Sequence, residues 1–147
     1  MSLLNVQGAL QEAVMLALQD VPVNPDAYLD GSIPVELENV QFTPPEKAKW
    51  AQLFFLPNPP SVDTLGDEGR DYVSGIVQLT LRYPRNTGDL ELRTDSEIVR
   101  AAFPAGRSLS QEGQFVTVDN CGRTAGRLVE NWFSVYISIQ WHAWIER

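Results

Sequence analysis

The chain is 147 residues long, 44% hydrophobic and 10% aromatic, so one domain spanning 1–147 with one packed core is expected, and the composition argues against a disordered chain. Its net charge is -8 with no cluster of Lys or Arg, which removes the electrostatic footprint of a sequence-specific nucleic-acid binder. One cysteine and one histidine, Cys121 and His142, rule out an internal disulfide and a usual zinc site; without a leader-like or 18-residue apolar run, a soluble chain made in the cytosol is expected.

Leu3, Val6, Leu10, Ala13 and Ala17 step by three and four, with Val14 and Leu18 widening the stripe, so the first twenty residues are predicted to form an amphipathic helix lying on a sheet. Ser2 can cap its start, and Pro22 and Pro25 bar its continuation. Residues 21 to 34, rich in Pro, Asn, Asp and Gly, read as a connection. The alternation that begins at Val35 predicts a short strand to Val40, ended by Pro44-Pro45. A second strand is predicted from Lys49 to Leu56, with Trp50, Gln52, Phe54 and Leu56 on one side and Ala51, Leu53 and Phe55 on the other. Both faces are largely apolar, so cover on two sides is expected.

From Pro57 to Asp71 there is no periodicity, which predicts a long exposed loop. Loops of this length in compact domains tend to carry function, so Asp63, Asp67, Glu68, Arg70 and Asp71 are candidate partner contacts. Tyr72 to Tyr83 alternates as a strand, Val77, Leu79, Leu81 and Tyr83 facing inward and Gln78, Thr80 and Arg82 facing water. Thr94-Asp95-Ser96-Glu97 has the spacing of a capping box and predicts a second helix from Thr94 to Phe103, closed by Pro104-Ala105-Gly106.

The remainder reads as β: a strand from Gln114 to Val118, a turn over Asp119 to Gly122, and a return strand from Arg123 to Val129. In the last strand Phe133, Val135, Ile137, Ile139, Trp141, Ala143 and Ile145 alternate with Trp132, Ser134, Tyr136, Ser138, Gln140, His142 and Trp144. At ~3.3 Å per residue it would run roughly 45 Å, beyond the common strand length, so it is expected to outrun its own domain. One face is expected to be core and the other to be covered by another subunit, making Trp132, Tyr136 and Trp144 candidate interface residues. The element order predicts an α+β fold: a mainly antiparallel sheet or sandwich with an N-terminal helix and a second short helix packed against it.

No motif carries chemistry. GxxxxGK[ST], GxGxxG after a strand and GxSxG are all absent. His142 reads as a structural or surface histidine, and Cys121, within Asn120-Cys121-Gly122, as a free turn thiol. The carboxylate sets Asp67, Glu68, Asp71 and Glu36, Glu38 lack the spacing of a calcium loop and read as solvated acids. No catalytic residue, metal or cofactor is expected. A small enzyme or ligand-binding protein using Asp67, Asp71 or His142 stands as the rival reading, and an acidic inhibitor or nucleic-acid mimic rests on net charge alone.

Several stretches carry a resemblance: the N-terminal helix, then Glu38-Asn39-Val40-Gln41-Phe42-Thr43-Pro44-Pro45, Trp50 with its apolar strand, and Pro57 to Gly69. Tyr72-Val73-Ser74-Gly75-Ile76-Val77-Gln78, Tyr83-Pro84, Gly88, a short helix with Ile98 and Phe103, and Trp132 to Trp141 follow. Over nearly its whole length the chain resembles the small tail-terminator proteins of long-tailed bacteriophages. The resemblance implies a non-enzymatic virion subunit of α+β sandwich type, assembled in the host cytoplasm as a hexameric ring on the end of a finished tail tube. Its implied partners are further copies of itself, the tail tube protein and a head-completion or connector protein, with DNA only as passing cargo and no membrane. Another neck, connector or minor tail subunit is the alternative within the same class.

Overall fold

The computed structural model describes residues 2–23 and 31–147; part of the predicted connection, including Pro25, lies outside the described residues. Helix α1 spans Leu3–Gln19, one turn short of Pro22. Ser2 is its N-cap, the hydroxyl accepting the Asn5 N–H at 3.3 Å and so satisfying one of the donors that a helix start leaves open. Its buried stripe is Val6, Ala9, Leu10, Ala13, Val14, Ala17 and Leu18, the face that the three- and four-residue spacing requires.

The strands are β1 (Val35–Glu36), β2 (Trp50–Pro57), β3 (Ser61–Val62), β4 (Arg70–Pro84), β5 (Ser108–Gln111), β6 (Gln114–Arg123), β7 (Arg127–Val129) and β8 (Trp132–Glu146). They join one curled sheet in the order β1-β2-β4-β8-β6-β5, with β3 added to β4 and β7 to β8. Among the described residues only β1 and β2 run parallel. Of the two forms that the sequence leaves open, sheet or sandwich, the strands take the single sheet. Helix α2, Leu90–Ala102, joins α1 on one of its faces.

The last strand does not outrun its own chain. β4 is equally long, 15 residues, and pairs with β8 from Arg70 opposite Glu146 to Pro84 opposite Trp132. β4 begins at Arg70, two residues before the predicted Tyr72, so length alone does not carry β8 past its neighbour. On the other flank of β8 lie β6 and β7.

Because side chains alternate, the register sorts the sheet into two faces. Ala51 and Leu53 of β2, Val73, Val77, Leu79, Leu81 and Tyr83 of β4, and Val135, Ile137, Ile139, Trp141 and Ala143 of β8 are buried under the helices. Each large apolar side chain there contributes about 1.5–3 kcal/mol relative to exposure. Phe55 stacks on Trp141, centroids 5.4 Å apart, and closes this core toward β2. At Gly75 an added Cβ would lie 2.6 Å from the Leu56 carbonyl oxygen and 2.9 Å from the Trp141 ring, so the close approach of β2, β4 and Trp141 depends on glycine.

Three sequence expectations are corrected. Helix α2 starts at Leu90 after Asp89, and Thr94 is inside it, its hydroxyl donating to the Leu90 carbonyl instead of capping. The segment Asp119 to Gly122 is strand, not turn: β6 continues to Arg123 through a register shift between Val118 and Asn120, held by β8. Cys121 is therefore a buried strand residue. Finally, β2 is covered on both sides only at its start, where Trp50 and Ala51 are buried; Phe54 and Leu56 are exposed.

Candidate interaction surface

The sheet face opposite the helices is open over much of its area. From β2 it presents Phe54 and Leu56, 36% and 48% exposed; from β8 it presents Trp144, 41% exposed; from β6, Phe115, 64% exposed. Tyr72 and His142 lie between them. The Tyr72 ring stacks near His142 at 5.8 Å and meets Trp144 edge-on at 5.6 Å, while His142 meets Trp144 at 5.1 Å. His142 Nδ1 is 2.5 Å from Asp119 Oδ1, which fixes the ring in the cluster. Trp144 and Phe115 line a shallow pocket with Arg70 and Glu146. Ser74 of β4 and Thr117 of β6 lie opposite His142 in register, and large aromatics exposed together on an open sheet face mark a contact surface.

The opposite end of the same face covers itself. Trp50 meets Trp132 edge-on at 5.7 Å and Phe42 at 5.3 Å, and the Arg82 guanidinium lies over Trp50. Arg82 also donates to Gln52 and Ser134, so Ser134 and Thr80 are buried on this face by side chains of the chain itself. Of the two tryptophans that the sequence marks for an interface, Trp132 is thus half-buried and Trp144 is exposed, while Trp141, of the other parity, is core. Tyr136 is half-buried beneath the Arg127 guanidinium, 5.1 Å from its ring centroid.

The stretch from Pro57 to Asp71 is exposed but not structureless. β3 pairs Ser61 with Tyr72 and Val62 with Asp71, so the segment is a hairpin tip. Arg70 Nε donates to Asp63 at 2.5 Å, and Arg147 pins the tip by donating to the carbonyls of Thr64 and Gly66 and to Asp71. Of its acids, Asp63 and Asp71 are thereby paired, leaving Asp67 and Glu68 as the exposed charges at the turn. The structure brings Arg70 to the Trp144 cluster, 5.4 Å over the Trp144 ring, while Asp71, opposite Ile145, lies on the other face.

A buried polar network lies on the helix side and has no counterpart in the sequence reading. Lys49 Nζ bonds to Asp95 Oδ2 at 2.8 Å, to Glu91 Oε1 at 2.7 Å and to the Pro22 carbonyl at 2.5 Å, and Tyr83 donates its hydroxyl to Asp95 at 2.5 Å. It ties α2 to β4 and to the ends of two loops. Nearby, burial pushes the Cys121 thiol up to about 11, with the Arg100 guanidinium pulling it down and Glu97 raising it. A thiol so placed is protonated and inert at neutral pH. Among the described residues no group of three or more His, Cys, Asp or Glu could hold a metal ion, and no helix is long and apolar enough to cross a membrane.

An open sheet face with clustered, exposed aromatics is the kind of surface that assembly proteins use. The family described as phage tail terminator protein matches residues 9–141, and the chain belongs to it. It has a structural role in a phage tail, and the family's structural character argues against an enzyme. A solved structure with 21% sequence identity superposes with a TM-score of 0.70 over 97% of this chain and 96% of the other, which shows a shared fold. No curated protein matches.

Proposed function

We propose that residues 1–147 act as one domain, as one copy in a hexameric ring that caps the tail tube, ends its polymerisation and forms the tail side of the joint to the head. The family match over nearly the whole chain carries this reading. Its partners are further copies of itself, the tail tube protein and a head-completion or connector protein, and assembly takes place in the host cytoplasm. Asp63, Asp67, Glu68, Arg70, Asp71, Trp132, Tyr136 and Trp144 are the contact residues of the proposal. Exposure supports Trp144 and the hairpin tip most strongly.

Net charge supports a lumen through which DNA passes as cargo. Each copy brings -8, and an acidic wall repels phosphate and does not grip it. Because Asp63 and Asp71 are paired with arginines, Asp67 and Glu68 supply most of the hairpin's field.

The test is incubation of the purified chain with growing tail tubes, read by native mass spectrometry and by tube length. A six-copy ring at tube ends and an arrest of growth are expected. A chain that stays monomeric and leaves tube growth unchanged would sink the reading.

A further inference from the structure

β2 has a free edge. Among the described residues β1 pairs only through Val35 and Glu36 with Ala51 and Gln52, and beyond them no strand pairs with the edge of β2. Two grooves flank it. On the helix side a slot of about 260 Å³ separates α1 from the segment around Leu37, floored by Leu53, Phe55 and Val77. On the open side a groove of about 460 Å³ runs between Phe54 and the segment of Glu36, Glu38 and Val40. Glu38 borders both, and its carboxylate accepts the Phe55 N–H at 3.2 Å. A side chain thus plugs a backbone donor that an incoming strand would use. Among the described residues neither Glu36 nor Glu38 forms an ion pair.

A strand with the complementary chemistry lies across the sheet. β7 pairs with β8 alone, and Leu128 is 49% exposed. Opposite Phe133, Leu128 lies on the helix side; Arg127 and Val129, opposite Ser134 and Trp132, lie on the open side. Arg127 is exposed and has no carboxylate partner among the described residues; its contacts are with Tyr136.

We propose that β7 of one copy adds as a strand to the free edge of β2 in the next, deepening the ring reading on which this rests. With the helix-bearing faces of both copies on the same side, Leu128 falls on the side of the apolar slot and Arg127 on the side of the groove bordered by Glu36 and Glu38. The sign of the charges and the polarity of both grooves match that placement. β2 and β7 lie on opposite flanks of the β4–β8 pair, so the contact is head-to-tail, the kind that closes into rings and not into two-fold dimers.

The test compares the full wild-type chain free and assembled on tail tubes, by amide hydrogen exchange, with charge variants alongside. The Leu128 amide is expected to gain protection on assembly. Glu36→Lys and Arg127→Glu should each weaken self-association by about tenfold or more, and the double charge swap should restore it to within a few-fold. Rings that form with Leu128 exchanging as in the free chain, or an R127E variant that assembles like wild type, overturn the contact while leaving the ring intact. Absence of any assembled species overturns the ring reading and this contact with it. The exchange arm uses no variant, so a misfolded mutant cannot obscure the answer.

Discussion

Lys49 and Asp95, 46 residues apart in the chain, meet as a buried ion pair at 2.8 Å, with the side chains 4% and 2% exposed. Asp95 also accepts the Tyr83 hydroxyl, so its carboxylate is the hub at which α2, β4 and the entry to β2 are joined. Removing Asp95 leaves the buried Lys49 with the largely exposed Glu91 as its remaining carboxylate, whereas removing both Lys49 and Asp95 removes the desolvation cost as well. Asp95→Ala is expected to destabilise the chain by about 3–5 kcal/mol. The double variant Lys49→Met, Asp95→Leu should lose much less. Urea unfolding of the three proteins checks this, and a double variant no better than D95A would refute the account.

Trp141 and Trp144 share a strand and differ in face. Trp141 is fully buried and stacked on Phe55, so Trp141→Ala should cost about 3–5 kcal/mol of stability. Trp144→Ala, on the open face, should cost under about 1 kcal/mol while weakening assembly. Thermal unfolding together with native mass spectrometry separates the two effects, and equal destabilisation would show that the face assignment is wrong.

Arg147 holds the hairpin tip through the Thr64 and Gly66 carbonyls and Asp71. Arg147→Ala should speed limited proteolysis between Thr64 and Gly69 severalfold, with global stability changed by no more than about 1 kcal/mol, because the contacts are at the surface. Unchanged cleavage would mean that β3 alone orders the tip.

The raised Cys121 pKa has a pH consequence of definite sign. The folded thiol ionises near 11 and the unfolded one near 9, so the unfolded state loses its proton first as pH climbs. Stability is unaffected by this group below pH 9 and declines between about 9 and 11. Alkylation of native Cys121 by iodoacetamide at pH 8 should be far slower than in urea, and Cys121→Ser should flatten the alkaline decline. Rapid native labelling at pH 8 would contradict the buried, protonated thiol.

How much of this could be read from residues alone depended on whether the signal was local. α1 was legible because its stripe and its Ser2 cap lie within one helix length, and β8 because seven apolar residues alternate without a break. The end of β6 was not, since Asn120-Cys121-Gly122 has turn composition and only pairing with β8 makes it strand. The start of α2 was misplaced because Thr94 to Glu97 fits a capping pattern in a stretch that is already helical. β5 was missed because Ser108 to Gln111 holds a single large apolar residue. Of the surface, the exposure of Trp144 followed from its parity in β8. The self-covering of Trp132 by Trp50, Phe42 and Arg82 did not, because those partners lie far off in sequence.

The long ladder between β4 and β8 also sets when the molecule can form. Its partners lie roughly 50 to 75 residues apart, and such distant pairings are slow to find because a long loop must close before any contact rewards it. The middle of the sheet stays open on the ribosome until the residues of β8 have emerged. Folding on the order of milliseconds to seconds is expected, with the edge of β4 that awaits β8 exposed to other copies meanwhile. Crowded synthesis of many identical chains is therefore the moment at which this protein is most prone to mispairing.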